Sequence, residues 1–256
     1  MTLNQLESKI QNAKELDFGD IFDKCIKLFK QVWLQGFLTI LITVLLTVPF
    51  YLLFTFLLEA IGINVSDPTQ LRDFGIENLI SFYGTNALYN IPLSIITSFI
   101  SLAMVAGFYR ICKQKDLNES ESENYFYFFK GEYFNKLLIM ALIYTGIMTL
   151  SQMICMVPYI YTVVPLMYFA VIFAFNSEKS AEEIIKISFK IGNKKWLISF
   201  GTIFVTGLLG CLGVLACVIG ILFTMSLMYL PVYTIYKEIV GFDGDDEIMK
   251  IGSEQH

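Results

Sequence analysis

Four stretches of this chain carry no charged side chain: residues 31–58, 78–109, 137–177 and 196–236, which are 28, 32, 41 and 41 residues long. One crossing of a bilayer takes about 20 apolar residues at ~1.5 Å each. Each shorter window therefore holds one span, and each longer one holds two spans with a tight turn between them. The expected fold is an all-α polytopic membrane protein with six transmembrane helices. They fall near Leu34–Leu58, Asn90–Arg110, Leu137–Val157, Tyr159–Asn176, Trp196–Cys217 and Ile219–Tyr236. Strands of a membrane barrel would alternate over about ten residues, which these continuous runs do not do. Composition points the same way. Only 16% of residues are charged and mean hydropathy is +0.62, where a soluble chain carries about a quarter charged residues.

The 18 lysines and arginines fix the expected orientation. They cluster before the first span, between spans two and three, between spans four and five, and after span six. Arg72 alone lies in a loop of the other side. Both termini are thus expected in the cytoplasm. Residues 1–30 contain no short apolar core with a small-residue cleavage site, so the first span is the expected insertion signal. The five cysteines, Cys25, Cys112, Cys155, Cys211 and Cys217, form no CxxC pair. They are expected to be small packing residues rather than a disulfide framework.

Three of the windows are entered in similar ways. After a polar lead-in over residues 1–16, Phe18, Ile21, Phe22, Cys25, Phe29, Val32 and Trp33 recur at steps of three and four. Such a helix is expected to lie in the membrane interface. A second amphipathic helix starts at Ser180, where Ser180 and Glu183 match a capping box. It runs through Lys190 to Lys194 and Lys195 and meets Trp196. Superposing Trp33 on Trp196, an offset of 163, also aligns Phe37 with Phe200, Thr39 with Thr202 and Thr43 with Thr206. A weaker third copy is "ENYFYFFKGEYFNK", at 123–136. The chain then reads as one membrane domain over 1–256. It has three parallel units, at about 17–115, 116–178 and 179–241, and a polar tail at 242–256. Each unit is an interfacial helix followed by a hairpin. Trp33, Trp196, Lys30, Lys194 and Lys195 are the expected interface anchors. Unit one also carries a long outer loop, Glu59 to Tyr89.

"FGDIFDKCIKLFKQVW" and "SAEEIIKISFKIGNKKWLISF" resemble the signature segments of a group of bacterial six-span membrane proteins. That group includes the membrane domain attached to some glycerophosphodiester phosphodiesterases. The resemblance implies the fold and an inner-membrane location. It implies no catalytic residue, because the phosphodiesterase domain is absent here.

Little in the chain offers chemistry. The only histidine is His256, and the acidic runs Glu119/Glu121/Glu123 and Asp243/Asp245/Asp246/Glu247 lie outside the spans. No catalytic residue, metal or cofactor is expected, and no nucleic-acid partner. No ionisable residue lies deep in a span, which weighs against proton-coupled transport. The polar groups inside are hydroxyls: Thr39, Thr43 and Thr47 in span one, Thr145 and Thr149 in span three, Thr202 and Thr206 in span five. They either line a shared interior, meet a partner, or bond the carbonyl one turn back. Gly207/Cys211 and Gly213/Cys217 have small-xxx-small spacing, which serves either internal packing or a partner subunit. The expected function is a non-enzymatic subunit or scaffold of an inner-membrane assembly. Its partners are then the lipid bilayer and other membrane subunits. The alternative is a conduit for lipid or another small amphiphile.

Overall fold

The computed structural model describes residues 1–62, 88–154 and 157–242, with the backbone alone at 157 and 215–219. The body of the outer loop, the polar tail after Phe242, Cys155 and the side chain of Cys217 lie outside the described residues. Those described are mostly helical, joined by turns and short irregular connections, with no strand among them. Nine α-helices appear among them: α1 (Leu3–Gln11), α2 (Phe18–Ala60), α3 (Ile91–Asp116), α4 (Gly131–Met153), α5 (Val157–Phe175), α6 (Ala181–Lys194), α7 (Trp196–Cys211), α8 (Cys217–Thr224) and α9 (Leu230–Val240).

Among the described residues five segments are long and apolar enough to cross a membrane: Phe18–Ala60, Ile91–Asp116, Gly131–Met153, Pro158–Phe175 and Trp196–Val214. The sixth expected span, Ile219–Tyr236, is broken. α8 ends at Thr224, a 3₁₀ turn covers Met225–Tyr229, and α9 begins at Leu230. Pro231 marks the restart, although Pro49 and Pro165 lie inside continuous helices. It has no N–H to give the carbonyl of Leu227, and its ring clashes with that carbonyl in an α-helix, so it sits in the first turn of a new helix. Gly241, at φ 70°, ends α9.

Two of the three expected interfacial helices are not separate helices. In unit one the amphipathic segment and the first span are a single helix of 43 residues, about 65 Å long. Ile21, Cys25 and Val32 are fully buried in protein rather than laid against head groups. In unit two the aromatic lead-in forms only a 3₁₀ turn, Tyr127–Phe129, before α4. Phe128 is buried there against Phe173, 4.7 Å between centroids. Unit three does divide, at Lys195 (φ −112°, ψ 26°).

α3, α5 and α9 form the centre. Residues 102–109 of α3 and 168–174 of α5 are buried almost without exception. This is the pattern of helices covered by protein on every side. α6 crosses α5 where Gly192 meets Pro165. Its capping box forms as expected: Ser180 Oγ accepts from Glu183 N at 3.2 Å, and Glu183 Oε2 accepts from Ser180 N at 2.9 Å.

The polar lead-in is itself a helix. Thr2 and Gln5 form a capping box, and α1 buries Leu6 and Ile10. Its Glu7 bridges Lys190 at 2.7 Å and Lys186 at 3.1 Å on α6. Hydrogen bonds from Lys190 and then Lys186 hold the Glu7 carboxyl below its ordinary value of 4.5. A depressed carboxylate supports docking above its unfolded value and loses that support as pH falls through the folded one. Hydrogen-exchange protection of residues 3–11 should thus stay level from pH 7 to about 5 and fall in more acid solution. Glu7→Gln should abolish that acid step, and an identical step in the variant would refute the assignment.

Candidate functional site

A cavity of about 320 Å³ lies between α3, α4 and α5. α3 contributes Thr97, Ser98, Ser101 and Tyr109, α4 contributes Tyr144, and α5 Met167 and Ala170. Tyr229 closes it from the break before α9. Helical spacing explains the α3 wall, because Thr97, Ser98 and Ser101 follow Ser94 at steps of three and four on one face. Ser98 Oγ and Thr145 Oγ1 lie 3.3 Å apart. Tyr109 donates its hydroxyl to the Tyr229 carbonyl at 3.1 Å. The lining is hydroxyls, ring faces and methyl groups, with no carboxylate or ammonium. Such a wall can seat an amphiphile or a chain of water. It offers no group for acid–base or nucleophilic work near neutral pH.

Other buried hydroxyls tie helices together. Tyr168 and Ser199 pair at 2.8 Å between α5 and α7, and Ser151 and Thr162 at 3.2 Å between α4 and α5. Asn176 Nδ2 donates to the Tyr236 hydroxyl at 2.9 Å. At the polar end of α3, Asp116 accepts from Tyr233 at 2.9 Å and from Lys237 at 2.7 Å. That carboxylate fastens α9 to α3.

The threonine stripes point inward but serve mostly their own helices. Thr39, Thr145, Thr202 and Thr206 are buried. Thr39 donates to Gln35 O at 2.8 Å, Thr43 to Thr39 O at 2.7 Å and Thr47 to Thr43 O at 2.9 Å. Thr202 and Thr206 do the same with Ile198 O and Thr202 O, both at 2.7 Å. Thr145 reaches another helix, and Thr149 is half-buried beyond it on α4.

The small-residue pairs separate. A Cβ on Gly207 would meet nothing within 4 Å, and Cys211 one turn on is exposed. A Cβ on Gly213 would come 2.5 Å from the Gly220 carbonyl oxygen. Gly213 therefore lets the 3₁₀ segment after α7 fold closely on α8, while Gly207 and Cys211 face outward.

The anchor residues also divide. Trp33 is 45% exposed and Lys30 is exposed. Trp196 is half-buried, stacked on Phe200 and donating Nε1 to the Tyr161 carbonyl at 3.0 Å. Lys194 donates to the Gln11 carbonyl and so caps the C-terminal end of α1, while Lys195 donates to the Lys14 carbonyl in the connection that follows. Among the described residues no group of three His, Cys, Asp or Glu side chains is placed to hold a metal ion.

The α3 wall was missed from the sequence, although Ser94, Thr97, Ser98 and Ser101 repeat the periodicity noted for the threonines. Comparison with family profiles, curated proteins and solved structures finds no match.

Proposed function

We propose that the protein is a non-enzymatic subunit or scaffold of a bacterial inner-membrane assembly, with both termini in the cytoplasm. The observation that carries this is the outward face of α7. Gly207 is bare, Cys211 is exposed one turn beyond it, and Phe204 and Leu208 beside them are more than half exposed. A bare glycine between large apolar neighbours lets a second membrane helix approach closely. The long apolar half of α2, with Leu45, Leu52 and Phe56 exposed, offers a second flank for such a helix. The lysine distribution supports the orientation.

The test is purification from native membranes in a gentle detergent, with wild type and Gly207→Leu side by side. A stoichiometric partner retained by wild type and depleted at least about fivefold by Gly207→Leu is expected. Wild type running as a bare monomer, or a partner indifferent to the substitution, would sink this reading. The cavity favours a second reading, passage or storage of an amphiphile between α3, α4 and α5. Ordered lipid in the cavity of a purified sample would favour that reading over the first.

A further inference from the structure

At the polar end of α3, the connection to α4 folds back on the helix and encloses a cavity of about 260 Å³. Arg110, Gln114, Glu121, Ser122, Asn124 and Tyr127 line it. The fold-back is close: a Cβ on Gly107 would come 2.8 Å from the Tyr125 carbonyl oxygen. The charges around the cavity are unevenly satisfied. Lys113 pairs with Glu119 at 3.2 Å and Lys115 with Glu123 at 2.7 Å. Arg110 has only a loose contact with Glu121, at 3.6 Å. Its guanidinium carbon sits over Tyr127, 3.5 Å from the ring centroid, and Lys130 stands 4.6 Å from the same ring. A guanidinium has five N–H donors, more than Tyr127 and the loose Glu121 contact occupy.

Gln114 supplies the opposite need. It is only 7% exposed, its Nε2 donates to Glu121 at 3.1 Å, and its Oε1 is buried with no donor. A buried acceptor left unpaired carries a desolvation cost that a bound donor would remove. The cavity thus presents donors for an anion at Arg110 and acceptors for a cation at Gln114 and Glu121. From these we propose that it binds the zwitterionic head group of an ethanolamine phospholipid. The phosphate lies on Arg110, and the ammonium donates to Gln114 Oε1 and the Glu121 carboxylate. The membrane is the source. α3 is long and apolar enough to span it, and exposed Phe126 and Phe129 on the same connection, with Phe134 at the start of α4, suit the interface. Choline cannot donate to Gln114, and glycerol brings no positive charge to Glu121.

Native mass spectrometry of the full chain in detergent, with ethanolamine, choline and glycerol phospholipids of identical acyl chains, tests this. Ethanolamine lipid should be retained about tenfold better than either of the others. Gln114→Leu and Arg110→Gln should each cut that preference to under about twofold. Equal retention of the three lipids by wild type overturns the proposal and needs no variant. So does a preference that survives both substitutions. Soluble O-phosphoethanolamine binding where no lipid adduct forms overturns the lipid source.

Discussion

Gly192→Ala should lower the unfolding free energy of the detergent-solubilised protein by about 1–3 kcal/mol, the usual cost of overpacking a close contact. The added Cβ would stand 2.6 Å from Pro165 Cα and 2.9 Å from Pro165 N. Those are backbone atoms of a helix packed among buried neighbours, so no side-chain rotation relieves them. α6 must therefore lift from α5. Ile184, Ile187 and Ile191, all fully buried on the same helix, would lose contact with it. Labelling of Cys112, buried in α3, gives a readout: its thiol should react faster in the variant at a given temperature. Gly207→Ala is the matched control. Its Cβ meets nothing, and alanine is the better helix former by up to about 1 kcal/mol. That variant should be neutral or slightly more stable. Equal losses in both would mean that the crossing at Pro165 does not set the result.

The contrast between these glycines shows what one chain of letters discloses. Hydropathy and charge located five long apolar helices, because the cost of burying charge in a bilayer acts on every residue of a window. The capping box at Ser180 was equally legible, since its two hydrogen bonds join residues three apart. Continuity was not. The amphipathic and apolar parts of α2 share one 3.6-residue period, and nothing in the letters marks whether the helix bends between them. The interruption of the sixth segment was hidden in a different way. Its hydropathy is high throughout, but hydropathy carries no information about the backbone bond that Pro231 cannot make. The aromatic third copy looked interfacial because exposed and buried aromatics read alike, and Phe128 is a core residue.

The same limit applies to the cavity. A hydroxyl in a membrane helix can satisfy itself on the carbonyl one turn back, as Thr39, Thr43 and Thr202 do. It can instead meet another helix, as Ser98 does with Thr145. Sequence spacing is identical in the two cases. What separates them is which helix lies opposite, and that depends on packing between segments far apart in the chain.

The crossing of α2 over the broken segment gives the other large effect. Gly36→Ala should destabilise by about 1–3 kcal/mol, because its Cβ would come 2.5 Å from Ser226 Cβ and closer still to Ser226 Oγ. Ser226 is 1% exposed, and its hydroxyl has no hydrogen-bond partner. The serine therefore contributes an unpaired buried oxygen, and Ser226→Ala alone should be neutral or stabilising by up to about 1–2 kcal/mol. Ser226→Gly removes both atoms that the added methyl group would strike, so Gly36→Ala with Ser226→Gly should recover part of the loss. The two sites should then show an interaction energy of at least about 1 kcal/mol in a double-mutant cycle. Additive losses would mean that α2 does not rest on Met225–Tyr229. That outcome would also remove the support for Tyr229, whose carbonyl holds Tyr109 at the cavity wall. The cycle thus tests whether the break in the sixth segment is a packed element, held by α2 on one side and closing the cavity on the other.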